Sequence, residues 1–204
     1  MGPEHRRRAR SSGPVPPEPK LTFRPLTPDR WDDLVALFGS RGACAGCWCM
    51  WWRLLHAAWQ RQKGAGNKRA FRKVVTAGPP PGVLAYAGDR PVGWCAVAPR
   101  TDYPRFGRSR VLAPVDDEPV WSVTCFFVAR PWRGRGVSRA LLEAATRYAR
   151  ARGGRIVEGY PIDAKGKAPD VFVYTGLASA FEQAGFREVA RRSPTRPIMR
   201  RALP

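Results

Sequence analysis

No stretch of about 18 consecutive apolar residues occurs in the 204-residue chain, so a helix of membrane-spanning length is not expected. The N-terminus, MGPEHRRRARSSGPVPPEPK, has no apolar run behind its arginines and does not read as a secretory signal. Histidine is scarce, with only His5 and His56. The CAGCWC stretch at 44–49 has no second CxxC after it, and His56 is the only histidine nearby, so the ligand set of a zinc site is incomplete and no metal is expected. Without a secretion signal, stable disulfides among the five cysteines are not expected. The simplest reading packs these thiols among tryptophans, with one thiol lining a pocket as the alternative.

Acidic residues are few, 16 against 36 basic ones, giving a formal +20. Only six of the basic residues are lysines; the arginines are scattered through an Ala-, Gly- and Pro-rich chain. A basic surface that draws in an anionic cofactor accounts for this charge without nucleic acid as the main partner. The apolar fraction of 44%, with eight tryptophans, excludes disorder of the whole chain. The length suits one domain, read as 21–204, preceded by a flexible, basic, Pro-rich tail at 1–20.

Leu21 to Pro25 alternates like a strand. Thr27-Pro28-Asp29 then opens a helix, with Thr27 as N-cap, that Gly39 stops. CWCMWWRLLHAAWQ, 47–60, spaces its tryptophans by three and four and predicts an aromatic helical stripe. The stripe reads as core, or in part as a substrate wall through Trp48 and Trp52. A helix is expected over 68–76 and a hairpin over 83–100, turning at Gly88-Asp89. An irregular loop over 101–119 holds Asp116-Asp117-Glu118, a reversal of sign in a basic chain. Residues 120–129, almost wholly apolar, predict a central strand buried on both faces. A parallel strand is expected at 155–160, a short helix at 176–184, and final strands at 186–192 and 196–201. No internal repeat is visible. The sum is an α/β domain with a mixed sheet.

Between the buried strand and the next helix lies RPWRGRGVSRALLEAA, 130–145. Gly134 and Gly136 permit close backbone approach, and the amides over 133–138 open a helix, which makes an anion site. The GK[ST] ending of a Walker loop is missing, and Arg139 stands where a dinucleotide loop needs its third glycine.

Arg133-Gly134-Arg135-Gly136-Val137-Ser138, after a strand ending Phe126-Phe127-Val128, resembles the GNAT superfamily of acetyl-CoA-dependent N-acetyltransferases. Their pyrophosphate loop reads [QR]-x-x-G-x-[GA]; Ser138 departs from the small apolar residue at its end. AFEQAGF at 180–186 and the hairpin with VGWCAVAPR extend the resemblance over about 21–201. It implies acetyl-CoA as co-substrate. Phe126, Phe127 and Val128 would hold the pantetheine arm, and Arg133, Gly134, Arg135, Gly136, Val137 and Ser138 the pyrophosphate.

Acetyl transfer to an amine is helped by a base and by a proton donor for the leaving thiolate. Glu158 is the leading base candidate, with Asp116, Asp117, Glu118 and Asp163 behind it. The resemblance implies a tyrosine acid on the late helix, but Phe181 stands there, leaving Tyr174, Ser179 or Tyr160. The GACAGCWCMWWR, PVGWCAVAPR and SPTRPIMR segments carry a resemblance to kasugamycin-type aminoglycoside N-acetyltransferases. The reversal of sign at Asp116, Asp117 and Glu118 is expected to recruit a cationic amine, and the resemblance implies an aminoglycoside-type acceptor and a role in antibiotic resistance. The alternatives are a protein N-terminal or lysine acetyltransferase, and a non-catalytic acyl-CoA-binding domain. The expected setting is cytoplasmic, without a membrane partner, and a homodimer is left open.

Overall fold

The computed structural model describes residues 20–163 and 173–204. The expected tail therefore lies outside the described residues, apart from Lys20. Seven strands form one mixed sheet in the order β1-β2-β3-β4-β5-β7-β6. In chain order these are β1 (Leu21–Pro25), β2 (Gly82–Ala87), β3 (Arg90–Pro99), β4 (Trp121–Val128), β5 (Ile156–Gly159), β6 (Arg187–Arg191) and β7 (Pro197–Ala202). Among these seven strands, only β4 and β5 pair in parallel. The helix α4 (Val137–Ala151) makes the crossover that a parallel pair requires.

Strand alternation explains the two cores. Along β2 and β4, Val83, Ala85, Val123, Phe126 and Val128 face α4 and the short α5 (Ala178–Gln183). Leu84, Tyr86, Cys125 and Phe127 face α1 (Trp31–Phe38) and α3 (Ala65–Ala77) instead. A sheet covered on both faces has no solvent side, so its central strands read as apolar runs. Trp94 anchors the second core, edge-on to Phe38 and Phe71 at 6.4 and 6.0 Å.

The segment before α3 corrects one expectation. Only α2 (His56–Arg61) is helical there; residues 41–54 run through turns and bends. Gly42, Gly46, Ala43, Ala45, Trp48 and Cys49 all take positive φ, which no continuous right-handed helix allows. The tryptophan spacing is thus met by packing rather than by helical periodicity. Trp48 stacks on Trp31 at 6.2 Å, and Trp59 meets Trp51 edge-on at 4.9 Å. At α1, a 3-10 turn (Pro28–Arg30) comes between Thr27 and the helix proper; Thr27 stands at the N-cap position of that turn but makes no side-chain capping hydrogen bond there. Thr27 Oγ1 accepts a hydrogen bond from Arg30.

Candidate active site

The site begins where β4 and β5 part. They pair from Trp121↔Val157 to Val123↔Gly159, and then β5 ends while β4 continues to Val128. Beyond Val123, this edge of β4 faces the segment 173–176. The Phe126 N–H donates to the Tyr174 carbonyl at 2.6 Å. The Val128 carbonyl accepts from Arg133 Nε at 3.0 Å. Both backbone groups assigned by resemblance to the thioester arm thus already have partners within the chain.

At the end of β4 the chain turns through Arg130–Trp132 and enters α4. Gly136 is the N-cap of α4 with φ 74°, and Gly134 has φ 71°. Two left-handed glycines bracketing Arg135 turn successive amides toward one side. The first amides of α4, from Val137 onward, have no partner four residues back, and the 15-residue helix adds its positive dipole end. Open space lies over both glycines, with nothing within 4 Å of an added Cβ. Arg135 stands 5.6 Å over the Trp132 ring. This arrangement fits a pyrophosphate, the charged part of acetyl-CoA.

The other wall carries the tyrosine. The Tyr174 phenol, half-buried, is pushed up to about 12 by burial and by the neighbouring Cys125 and Cys47 thiols, with Arg196 and Arg105 opposing. It stays a neutral hydrogen-bond donor at physiological pH. Ser179, by contrast, is exposed on the first turn of α5. Phe181 is fully buried against Phe126, Phe186 and Gly159. Its position therefore serves the core, and Tyr174 is the tyrosine whose backbone borders the gap beside β4.

Glu158 is not placed as a free base. It is 1% exposed and accepts from Arg100 at 3.0 Å, Arg200 at 2.7 Å and Tyr160 at 2.6 Å. Ser122 Oγ completes the cluster, 2.8 Å from the Tyr160 oxygen. Burial, and then the Glu158 charge, hold the Tyr160 phenol well above its ordinary value. The carboxylate inside an apolar strand has the partners it needs, and both of its oxygens are engaged.

The acidic loop is also partly neutralised. Asp116 binds Arg200 through both oxygens, at 2.6 and 3.0 Å, and that bond holds its carboxyl below the usual range. Asp117 and Glu118 are exposed. Asp163 pairs with Arg191 at 2.8 Å. Among the tryptophans, Trp48 is 4% exposed within the second core, so it does not face a substrate. Trp52 is half-buried and stacks on Phe106 at 4.6 Å, and Phe106 meets Tyr160 at 4.6 Å. Among the described residues, Trp52 Nε1 and Arg53 Nη2 are buried without a hydrogen-bond partner.

Sequence reasoning missed Arg105 and Arg196. The first lies on a 3-10 turn (Pro104–Arg108), the second between β6 and β7. No local pattern marks either one, because the groups they meet are distant in sequence. The Cys125 and Cys47 thiols also act on the Tyr174 phenol. The Cys125 thiol is pushed well up, first by its hydrogen bond with Cys49 and then by burial. Burial pushes Cys47 up to about 11. Among the described residues no cluster could hold a metal ion, and no helix is long and apolar enough to cross a membrane. A concavity of about 470 Å³ between α4 and α5, lined by Glu143, Arg147, Gln183 and Arg201 among others, includes none of these groups.

The sequence profile of the Acetyltransferase (GNAT) family matches residues 48–160, more than half of the chain. The chain belongs to that family and is an acetyltransferase with acetyl-CoA as co-substrate. Solved structures share the fold. A GNAT-family acetyltransferase from Streptococcus agalactiae aligns with a TM-score of 0.54 at 12% identity, over 90% of this chain and 96% of that one. The acetyltransferase of GNAT family from Streptococcus pneumoniae aligns at 0.53 and 14% identity, over 91% and 100%. No curated protein matches the sequence.

Proposed function

We propose that this chain acetylates the nitrogen of a small amine by direct transfer, with both substrates held in one complex. The observation that carries the reading is the alignment of three features. These are the α4 amide nest, the β4 edge at Phe126, and the neutral Tyr174 phenol across from it. Gly134 to Ser138 would hold the pyrophosphate and the β4 edge the thioester arm, whose Phe126 partner the Tyr174 carbonyl must first release. When bound, acetyl-CoA supplies an activated acetyl thioester.

The chain's own groups then have defined tasks. The Phe126 N–H is aimed to polarise an acyl oxygen at the β4 edge. Tyr174 donates toward the leaving sulfur, which needs a proton as its bond to carbon breaks and the carbon–nitrogen bond forms. With Glu158 engaged by two guanidiniums, the amine gives its proton to solvent. The raised thiols of Cys47 and Cys125 support direct transfer, because a covalent acetyl-cysteine route needs a thiolate.

The aromatic wall of Trp52 and Phe106 favours a small acceptor over a protein segment, which needs an open groove. The experiment is thiol release from acetyl-CoA with a panel of amines that includes aminoglycosides. The expected result is turnover with at least one small amine. CoA binding without turnover on any amine would instead support a non-catalytic domain.

A further inference from the structure

Two stretches outside the sheet meet through one side chain. Residues 51–56 run through turns into α2, and residues 102–106 run through 3-10 turns. Arg105 joins them at four points. Its backbone N–H donates to the Trp52 carbonyl at 3.3 Å, and Nη1 donates to the Trp51 carbonyl at 3.2 Å. His56 Nδ1 accepts from Nη2 at 3.2 Å, and the guanidinium carbon lies 3.4 Å from the centre of the Trp51 ring. Among the described residues, the one other hydrogen bond between these stretches runs from Arg53 to Asp102 at 3.3 Å.

The joint sits beside the aromatic wall. Trp52 and Phe106 stack at 4.6 Å with 23° between their planes, and each neighbours a residue of the joint in the chain. Phe106 is fixed from the sheet side. It is 2% exposed, meets Tyr160 at 4.6 Å and carries the Arg100 guanidinium 4.6 Å over its ring. Trp52 is half-buried in a turn, and its indole N–H has no partner among the described residues. Its place against Phe106 therefore depends on the hold of Arg105 on the Trp51–Trp52 backbone. A planar guanidinium that stacks on a ring while donating to a carbonyl suits that task.

The hold has a protonation requirement. Arginine only donates, so the Nη2 contact needs the lone pair of Nδ1, which makes His56 neutral with its proton on Nε2. The imidazole is held edge-on to Trp51 at 5.9 Å and stacked on Trp59 at 6.3 Å. The charges on the surrounding elements are mostly positive. Lys63 stands 5.5 Å over the Trp59 ring, Arg61 shares the helix of His56, and Arg108 shares the turn of Arg105. The carboxylate on these two stretches, Asp102, is held by Arg53. The Cys47 thiol and the Tyr103 phenol, raised by burial to about 11 and about 12, stay neutral. A proton on His56 would set two cations against each other and break the contact.

We propose that Arg105 is a positioning residue for the acceptor: it clasps the Trp51–Trp52 stretch to Phe106, which sets the aromatic wall, and it lets go when His56 takes up a proton. This rests on the acetyltransferase reading above and concerns the wall of the same site. Arg105 acts through Trp52, not on the reacting atoms.

The test reads the imidazole and the kinetics separately. The chain has two histidines, so in a ¹⁵N-histidine-labelled sample His5→Gln assigns both. Long-range proton–nitrogen correlation should show His56 as the Nε2–H form at about pH 8, giving way to a mixture in Arg105→Met. Arg105→Met should raise the acceptor KM about tenfold with kcat and CoA affinity little changed, and Arg105→Lys should recover part of it. His56→Asn keeps an acceptor near the Nδ1 position at every pH, and comparison with it cancels the ionisation of the amine itself. From about pH 8 to about pH 5.5, the wild-type KM should rise about three- to tenfold relative to that of His56→Asn. A ratio that does not move with pH would overturn the proposal, as would loss of kcat and melting temperature in Arg105→Met at unchanged KM. An Arg105-dependent Nε2–H imidazole in a chain that turns over no amine would overturn the transferase reading and keep the clasp. Turnover with the Nδ1–H form would do the reverse.

Discussion

The Phe126 N–H donates to the Tyr174 carbonyl oxygen at 2.6 Å, across the gap that opens where β5 stops pairing with β4. The same backbone amide is the one expected to meet the thioester arm, so co-substrate and chain compete for one donor. In a ¹⁵N-labelled sample, the Phe126 amide resonance should move on saturation with CoA. The Leu26 amide, bonded to the Gly82 carbonyl at the far side of the sheet, should not. A Phe126 resonance that stays put would place the arm elsewhere.

Tyr174 should act as the proton donor to sulfur. Tyr174→Phe is expected to lower kcat by about a hundredfold with little change in CoA affinity, the usual scale for one positioned acid. The phenol is raised to about 12, so it stays protonated, and kcat should show no descending limb below about pH 10. With solvent taking the amine proton, kcat/KM should climb with pH up to the acceptor's own pKa. A plateau beginning well below that pKa would reveal a protein base.

Glu158 separates a structural from a catalytic carboxylate. Glu158→Gln would leave Arg100 and Arg200 half-buried without their shared charge. The expected cost is about 3 kcal/mol, or a fall of roughly 10 °C in melting temperature. Calorimetry together with activity per folded molecule decides the matter. A large loss of kcat at unchanged stability would return Glu158 to the role of base.

Thiol reactivity should divide the cysteines. Cys44 is exposed, whereas Cys47 is raised to about 11 and Cys95 and Cys125 lie well above the ordinary thiol range. At pH 8, brief iodoacetamide treatment followed by peptide mass spectrometry should label Cys44 first. Cys47 should react about a hundredfold more slowly than an unperturbed thiol. Rapid labelling of Cys125 would argue for a thiolate at the site and against direct transfer.

Gly159 and Phe181 test the departure on the late helix. A Cβ on Gly159 would lie 2.1 Å from the Phe181 ring, so Gly159→Ala should destabilise by about 1–3 kcal/mol through overpacking. Thermal denaturation checks this, and an unchanged melting temperature would show that the ring can yield.

The sequence by itself determined most of the sheet. The apolar run from 120 to 129 became β4, the Gly88-Asp89 turn joined β2 to β3, and the glycine-spaced loop opened α4. Each of these is local chemistry: alternation, turn residues and helix starts are written in adjacent positions. The same logic failed at 47–60, where Trp48 and Cys49 take positive φ despite the helical spacing of the tryptophans. Charge pairing was decided only in three dimensions. Glu158 and Asp116 looked available until Arg200, 42 and 84 residues away, closed on both. Arg105 and Arg196 carried no signal, because the Trp51 carbonyl and the Thr175 hydroxyl that they bind are distant in sequence. A side chain's type is set by the sequence, but whether its charge is satisfied depends on what the fold brings within a few ångströms.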